Sequence, residues 1–205
     1  MSSFADFITQ TRRELQESTA VVWADSSLIT WANEAFEDFA RKTRLTRAWA
    51  TGTSAASTSA YALPAGAIEV DTFLYSTGRL ERVDDIEYQS LAVVATSNGT
   101  PSKYTVIGAS IYLHPTPSVA KTYRFRYTAP PAAFTSVADT TATPFAGRHE
   151  SALRSYIKAR AFEQTGEFDV ASGFQSLYDR EAYETDTERM YDGFGDAAIT
   201  PRTVW

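Results

Sequence analysis

Residues 61–91 restrict the fold of this chain more than any other stretch, because they carry strand periodicity between two segments of helical periodicity. After the extended pair Leu63 and Pro64 the side chains alternate. Ile68, Val70, Thr72 and Leu74 fall on one side, and Glu69, Asp71, Phe73 and Tyr75 on the other. Ser76, Thr77 and Gly78 interrupt this run with turn chemistry, and Arg79 to Val83 resume a shorter alternation before the polar Asp84 and Asp85. The pattern predicts a β-hairpin in a sheet inserted into a helical frame.

The frame is legible on both sides. Phe4, Phe7, Ile8, Thr11 and Leu15 recur every three or four residues and predict a helix over 4–17, capped by Ser2 or Ser3, with Arg12 and Arg13 at the negative end of its dipole. Leu28, Ile29, Ala32, Ala35, Phe36, Phe39 and Ala40 form the apolar stripe of a second helix over 27–43, with Asp25, Ser26 and Ser27 as its capping segment and Trp31 at the stripe's rim. Pro144 suits the start of a third helix over 145–165, which Gly166 stops. Asp169 then caps a fourth over 169–191, with Val170, Phe174, Leu177, Tyr178 and Glu181 at helical spacing, and the last two helices read as an antiparallel pair.

Between these segments, residues 46–53 alternate around Trp49 and Gly52 as a strand, and 54–59 form a Ser/Ala/Thr connection. Residues 87–95 fit either a helical turn or a strand. Asn98 and Gly99 match a glycosylation pattern but read as a hairpin turn. Strands at 103–107, 111–114 and 122–127 complete an antiparallel meander, in which Tyr123, Phe125 and Tyr127 face one way and Arg124 and Arg126 the other. The fold class expected is α+β: a bundle of about four helices with an inserted antiparallel β lobe and a flexible C-terminal tail. Its parts are 1–45, N-terminal helices; 46–131, β lobe; 132–191, C-terminal helices; and 192–205, tail.

Composition narrows the function. The 205-residue chain has no cysteine, which removes disulfides, thiolate metal sites and cysteine nucleophiles together. It has 19 basic and 25 acidic residues, net charge −6, with no cluster of Lys and Arg in sequence, so a direct grip on nucleic-acid phosphates is disfavoured. No signal segment and no apolar run of spanning length is present, so a soluble, unsecreted chain without membrane partners is expected. His114 and His149 stand apart from any Ser/His/Asp order or metal-ligand spacing. Asp84, Asp85 and Glu87 lack the spacing of a calcium loop and read as a solvated turn. Tyr104, Tyr112, Tyr123, Phe125 and Tyr127 invite comparison with a stacking platform, but alternation assigns most of them to a buried face. No catalytic site, metal or cofactor is expected.

The order of elements resembles a known family. The segment Tyr61 to Pro64, the turn at Gly78, Arg79 and Leu80, the strand Ile111 to Pro117, then Tyr123 to Tyr127 with Ala129, Pro130 and Pro131, and the helix Arg148 to Ala161 together resemble tailed-bacteriophage head-to-tail adaptor proteins over about residues 25–165. The resemblance implies a non-enzymatic virion protein of the neck, assembled in the host cytoplasm. It also implies a ring of about twelve copies that joins the portal protein to a downstream tail or nozzle protein around passing double-stranded DNA. It further implies portal docking through the C-terminal segment, here Phe194, Ile199, Pro201, Arg202, Val204 and Trp205. The turns of the lobe at Arg79, Asp84 and Asp85 are expected to meet the tail-side component. Two rival readings are a carbohydrate- or host-receptor-binding module using the lobe and a small hydrolase with no legible site.

Overall fold

A computed structural model describes residues 2–17, 22–76, 78–94, 98–145 and 147–194, of which 93–94 and 189–194 are described by their backbone alone. The chain divides into two compact units, Met1–Arg44 with Pro131–Trp205, and Leu45–Pro130.

The first unit holds α1 (Phe4–Glu14), α2 (Asp25–Thr43), a 3-10 turn at Gly147–His149, α4 (Glu150–Thr165) and α5 (Phe168–Phe194); α3 (Asp85–Val94) belongs to the other unit. Ser3 caps α1 in a reciprocal box with Asp6, which satisfies two otherwise orphaned N–H groups. The stripe of α2 is buried as its spacing predicts, and its rings meet those of α1 and of the segment after the lobe. Phe4 stacks on Phe134 with centroids 4.0 Å apart, and Phe36 packs against Phe4, Phe7, Phe134 and Phe145. Asn33 fixes Phe134 through both backbone groups, its Nδ2 donating to the carbonyl and its Oδ1 accepting from the N–H, each at 2.9 Å. This side chain gives a loop without regular structure the pairing its buried backbone needs.

Three sequence expectations change here. Arg12 lies in the last turn of α1, as its place in the sequence predicts, and is buried there: its guanidinium donates to Glu17 at 3.2 Å, the Trp23 carbonyl at 3.2 Å and Asp25 at 2.5 Å. Glu17 in turn accepts from the backbone of Val22 and Trp23. Asp25 is therefore the first residue of α2 and a partner of Arg12, and the N-cap is Ala24 with no side-chain bond. On α5 the buried face is Ala171, Tyr178, Ala182 and Thr185, whereas Val170 and Leu177 are 43% and 44% exposed. Small residues let α5 approach its neighbours, and Tyr178 turns inward because its hydroxyl donates to Asp38 at 2.7 Å. Finally, Gly147–His149 form a 3-10 turn, and α4 begins at Glu150.

The second unit contains β1 (Arg47–Thr53), β2 (Ala60–Ala62), β3 (Glu69–Tyr75), β4 (Gly78–Arg79), β5 (Glu81–Arg82), α3, β6 (Lys103–Ile107), β7 (Ser110–His114) and β8 (Thr122–Thr128). They form two four-stranded sheets, β1-β8-β3-β4 and β2-β7-β6-β5, where a single antiparallel meander was expected. The predicted hairpin is only two residue pairs long, Leu74 with Arg79 and Tyr75 with Gly78. The chain then crosses at buried Leu80 into the second sheet, where β5 runs parallel to β6. Of the stretch 87–95, the residues up to Val94 resolve as part of α3, so Asn98 and Gly99 precede β6 and follow a helix in place of a strand; Gly99 bridges Pro117.

The parity of β3 also differs from strict alternation. A bulge between Val70 and Thr72 adds one residue, Asp71, against β8. Val70 before the bulge and Phe73 and Tyr75 after it consequently all face the core. That core comprises Val70, Phe73, Tyr75, Leu80, Tyr104, Ile111, Leu113 and Phe125. Phe73 lies parallel to Phe125 at 5.7 Å and within 5.4 Å of both Tyr104 and Tyr123.

Opposite these rings β1 supplies small residues: Ala48, Ala50 and Gly52 pair directly with Tyr127, Phe125 and Tyr123. A Cβ on Gly52 would stand 2.5 Å from Cζ and Oη of Tyr123. Gly52→Ala is therefore expected to destabilise the lobe by about 1–3 kcal/mol, and Gly52→Val by more, as overpacking of a filled site. Denaturant unfolding followed by aromatic circular dichroism measures it, and an unchanged midpoint would show that Tyr123 yields freely.

Candidate functional site

The outer face of the β1-β8-β3-β4 sheet is where unspent chemistry collects. Even-numbered residues of β1 turn toward the rings of the core, so the odd-numbered Arg47, Trp49, Thr51 and Thr53 turn outward beside Thr128, Arg126, Arg124 and Thr122 of β8. Trp49 is 52% exposed. The Arg124 guanidinium lies 4.8 Å from the centre of its ring and that of Arg126 6.0 Å away, a cation–π arrangement. Asp71, carried outward by the bulge, has one carboxylate oxygen 3.7 Å from Arg47 and 3.6 Å from Arg126, as ion pairs without hydrogen-bond geometry. Arg79, directly opposite Leu74, adds a further cation at the far side of the same sheet. Among the described residues, Arg79 and Arg124 make no ion pair. An acidic chain thus presents one basic, aromatic sheet face, a composition typical of protein contact surfaces.

Sequence reasoning passed over Trp49. The signal was nevertheless available: Ala48, Ala50 and Gly52 on one parity can oppose large rings only if they face inward, which sends Trp49 outward. The aromatic residues first considered for stacking lie elsewhere. Tyr104 and Phe125 are in the core, Tyr123 and Tyr127 pack against it, and Tyr112 neighbours Tyr88 at 5.8 Å.

The lobe turns have local duties. Asp84 accepts from the Glu87 N–H at 2.7 Å and opens α3, Asp85 sits in its first turn, and Glu87 holds Lys103 at 2.6 Å. Asp84 and Asp85 are both exposed, as is Arg79, but Arg79 belongs to a different sheet from β5, which precedes them. Among the described residues no group of His, Asp or Glu is arranged to hold a metal ion, and no helix is long and apolar enough to cross a membrane. Phe194 ends α5 without a described side chain, and Ile199, Pro201, Arg202, Val204 and Trp205 lie outside the described residues.

On the helical unit an open groove of about 640 Å³ is lined by Ser27, Trp31, Glu34, Arg160, Glu163 and Gln164. Its arginine is already engaged, donating to the Tyr156 hydroxyl at 3.0 Å and Glu163 at 2.9 Å. His149 is buried against the Phe39 ring, and its Nε2 accepts from Arg148 at 3.0 Å. Burial first, and the Arg148 charge second, pull its imidazole below the ordinary range, with Glu188 acting weakly in the opposite sense.

Residues 2–202 match the family described as SU10 adaptor protein. The chain belongs to this family of phage head-to-tail adaptor proteins, structural components of the virion. No curated protein matches it.

The state of His149 has a measurable consequence. An unfolded histidine takes up a proton near about pH 6.5, whereas the folded imidazole resists it, so the unfolded state binds more protons just below that pH and stability falls on acidification. Neighbouring Glu181, 3.8 Å away and pushed up by burial, acts with the opposite sign at lower pH. The melting temperature is expected to drop from about pH 7 to about pH 5 and to drop less in His149→Phe. Equal slopes in the two proteins would remove His149 as the cause.

Proposed function

We propose that this chain is a non-enzymatic structural subunit that assembles as a ring of about twelve copies beneath the portal, joins it to the tail and forms part of the DNA channel. The observation that carries this reading is the family match over residues 2–202, nearly the whole chain, which spans both the helical unit and the inserted lobe. The net charge of −6 supports a channel that DNA passes without adhering, provided that acidic residues line it. The downstream partner is a tail or nozzle protein met by the lobe, including its turns at Arg79, Asp84 and Asp85.

The C-terminal segment is assigned to the portal. Burying one tryptophan removes about 150–250 Å² from water, and at about 25 cal/mol per Å² that is ~4–6 kcal/mol before ordering is subtracted. One such tail binds modestly, but tails repeated around a ring act at high effective concentration and make a durable joint. Of the rival reading, a carbohydrate- or host-receptor-binding module using the lobe, the carbohydrate form is weakened by Arg124, which lies over the exposed Trp49 ring where a sugar would stack.

Mass measurement of the protein with its portal tests the assembly: a ring of subunits is expected, and a monomer under all assembly conditions would count against it. Removing residues 193–205 is expected to leave the circular dichroism spectrum intact and to weaken portal attachment by at least about tenfold, or about 1.4 kcal/mol. Unchanged attachment would move the portal contact elsewhere on the chain.

A further inference from the structure

β1 uses one edge and leaves the other open. In an antiparallel ladder, alternate residues present both backbone groups to the partner strand. The Ala129 N–H donates to the Thr46 carbonyl at 2.7 Å and the Ser54 N–H to that of Lys121 at 2.9 Å. By this register Ala48, Ala50 and Gly52 bond β8, and the N–H and C=O groups of Trp49, Thr51 and Thr53 point away from it. Among the described residues no hydrogen bond reaches these outward groups. The other sheet ends are short, two residues in β4 and β5 and three in β2, whereas β1 has seven, in regular register and without proline or lysine. Shortness, proline, lysine and a bulge, four of the devices that blunt an edge strand, are therefore absent from this one.

We propose that the open edge of β1 receives an extended segment of a partner protein that carries carboxylates at alternate positions and adds as a fifth strand to the sheet. Backbone bonds to Trp49, Thr51 and Thr53 hold the segment, as in other cases of strand addition. Side chains of the added strand on the outer face stand about 5 Å from those of β1. Carboxylates there meet Arg47 and the unpaired Arg124, and the segment covers the exposed indole of Trp49. A second copy is the poorer occupant, because pairing β1 with itself brings two Arg47, Arg124 and Arg126 sets together. The inference stands on the lobe alone and is independent of ring assembly.

The test uses the full chain and two capped synthetic heptapeptides, one alternating Glu and Val, the other Lys and Val. The Glu peptide is expected to bind saturably and to slow amide hydrogen exchange at Trp49, Thr51 and Thr53, and the Lys peptide to do neither. Thr51→Pro removes an N–H that β8 does not use and is expected to weaken binding at least about tenfold, or about 1.4 kcal/mol. Arg124→Glu, which leaves the ladder whole, is expected to lose the Glu peptide and gain the Lys peptide. Absence of saturation, equal binding of both peptides or protection only at other strands would overturn the proposal. So would a dimer of the unliganded chain that Thr51→Pro dissolves, since a second copy would then fill the edge.

Discussion

The pairing of β1 with β8 is the constraint on which the insertion depends. Arg47 stands opposite Thr128, the Ala129 N–H donates to the Thr46 carbonyl at 2.7 Å, and the Thr46 hydroxyl donates to the Ala129 carbonyl at 2.6 Å. The first and last strands of the lobe thus lie side by side, and the chain leaves the lobe beside the point where it entered. Closing a long loop costs entropy that grows only slowly with its length, and a seven-pair ladder with an aromatic core offsets it. A helical unit interrupted in this way needs no long linkers. α2 ends at Arg44 in the left-handed conformation, and after Pro130 the returning chain is taken up by Asn33 at Phe134.

The same register explains the chemistry of the surface. Because Gly52, Ala50 and Ala48 must oppose Tyr123, Phe125 and Tyr127, Trp49 has to face outward, where Arg124 covers one face of its ring. The core and the contact face are two consequences of one alternation. In the helical unit polar ties do comparable work: Glu14 joins α1 to Arg154 and Lys158 of α4, and Lys42 with Asp38 joins α2 to Tyr178 and Asp179 of α5. These ties are partly solvent-screened and set orientation more than stability, while the phenylalanine cluster supplies the burial.

Periodicity made the α-helices of the helical unit legible to within a few residues at most ends, and also the opposition of Tyr123, Phe125 and Tyr127 to Arg124 and Arg126, but it left the stretch that forms α3 open between helix and strand. It could not supply the features that depend on a distant partner. The bulge at Asp71 reverses the parity of β3 only because β8 lies beside it, and the crossing at Leu80 divides one apparent meander into two sheets. The place of Arg12 at the end of α1 was legible, but not the partners Glu17 and Asp25 that close around it. α5 carries apolar residues on more than one side, so its spacing alone did not select the face that Tyr178 and its hydrogen bond to Asp38 select. Of the candidate site residues, Arg79, Asp84 and Asp85 are exposed turns or caps, and the contact face around Trp49 had to be read from cross-strand size matching.

The central claim is that the lobe closes on itself through β1 and β8. The most direct measurement is a two-dimensional amide NMR spectrum, with hydrogen exchange, of the isolated segment Leu45–Pro130. A self-closed lobe predicts dispersed amides with protected N–H groups at Ala48, Ala50 and Gly52 and their β8 partners. A collapsed spectrum without protection at those residues would contradict it.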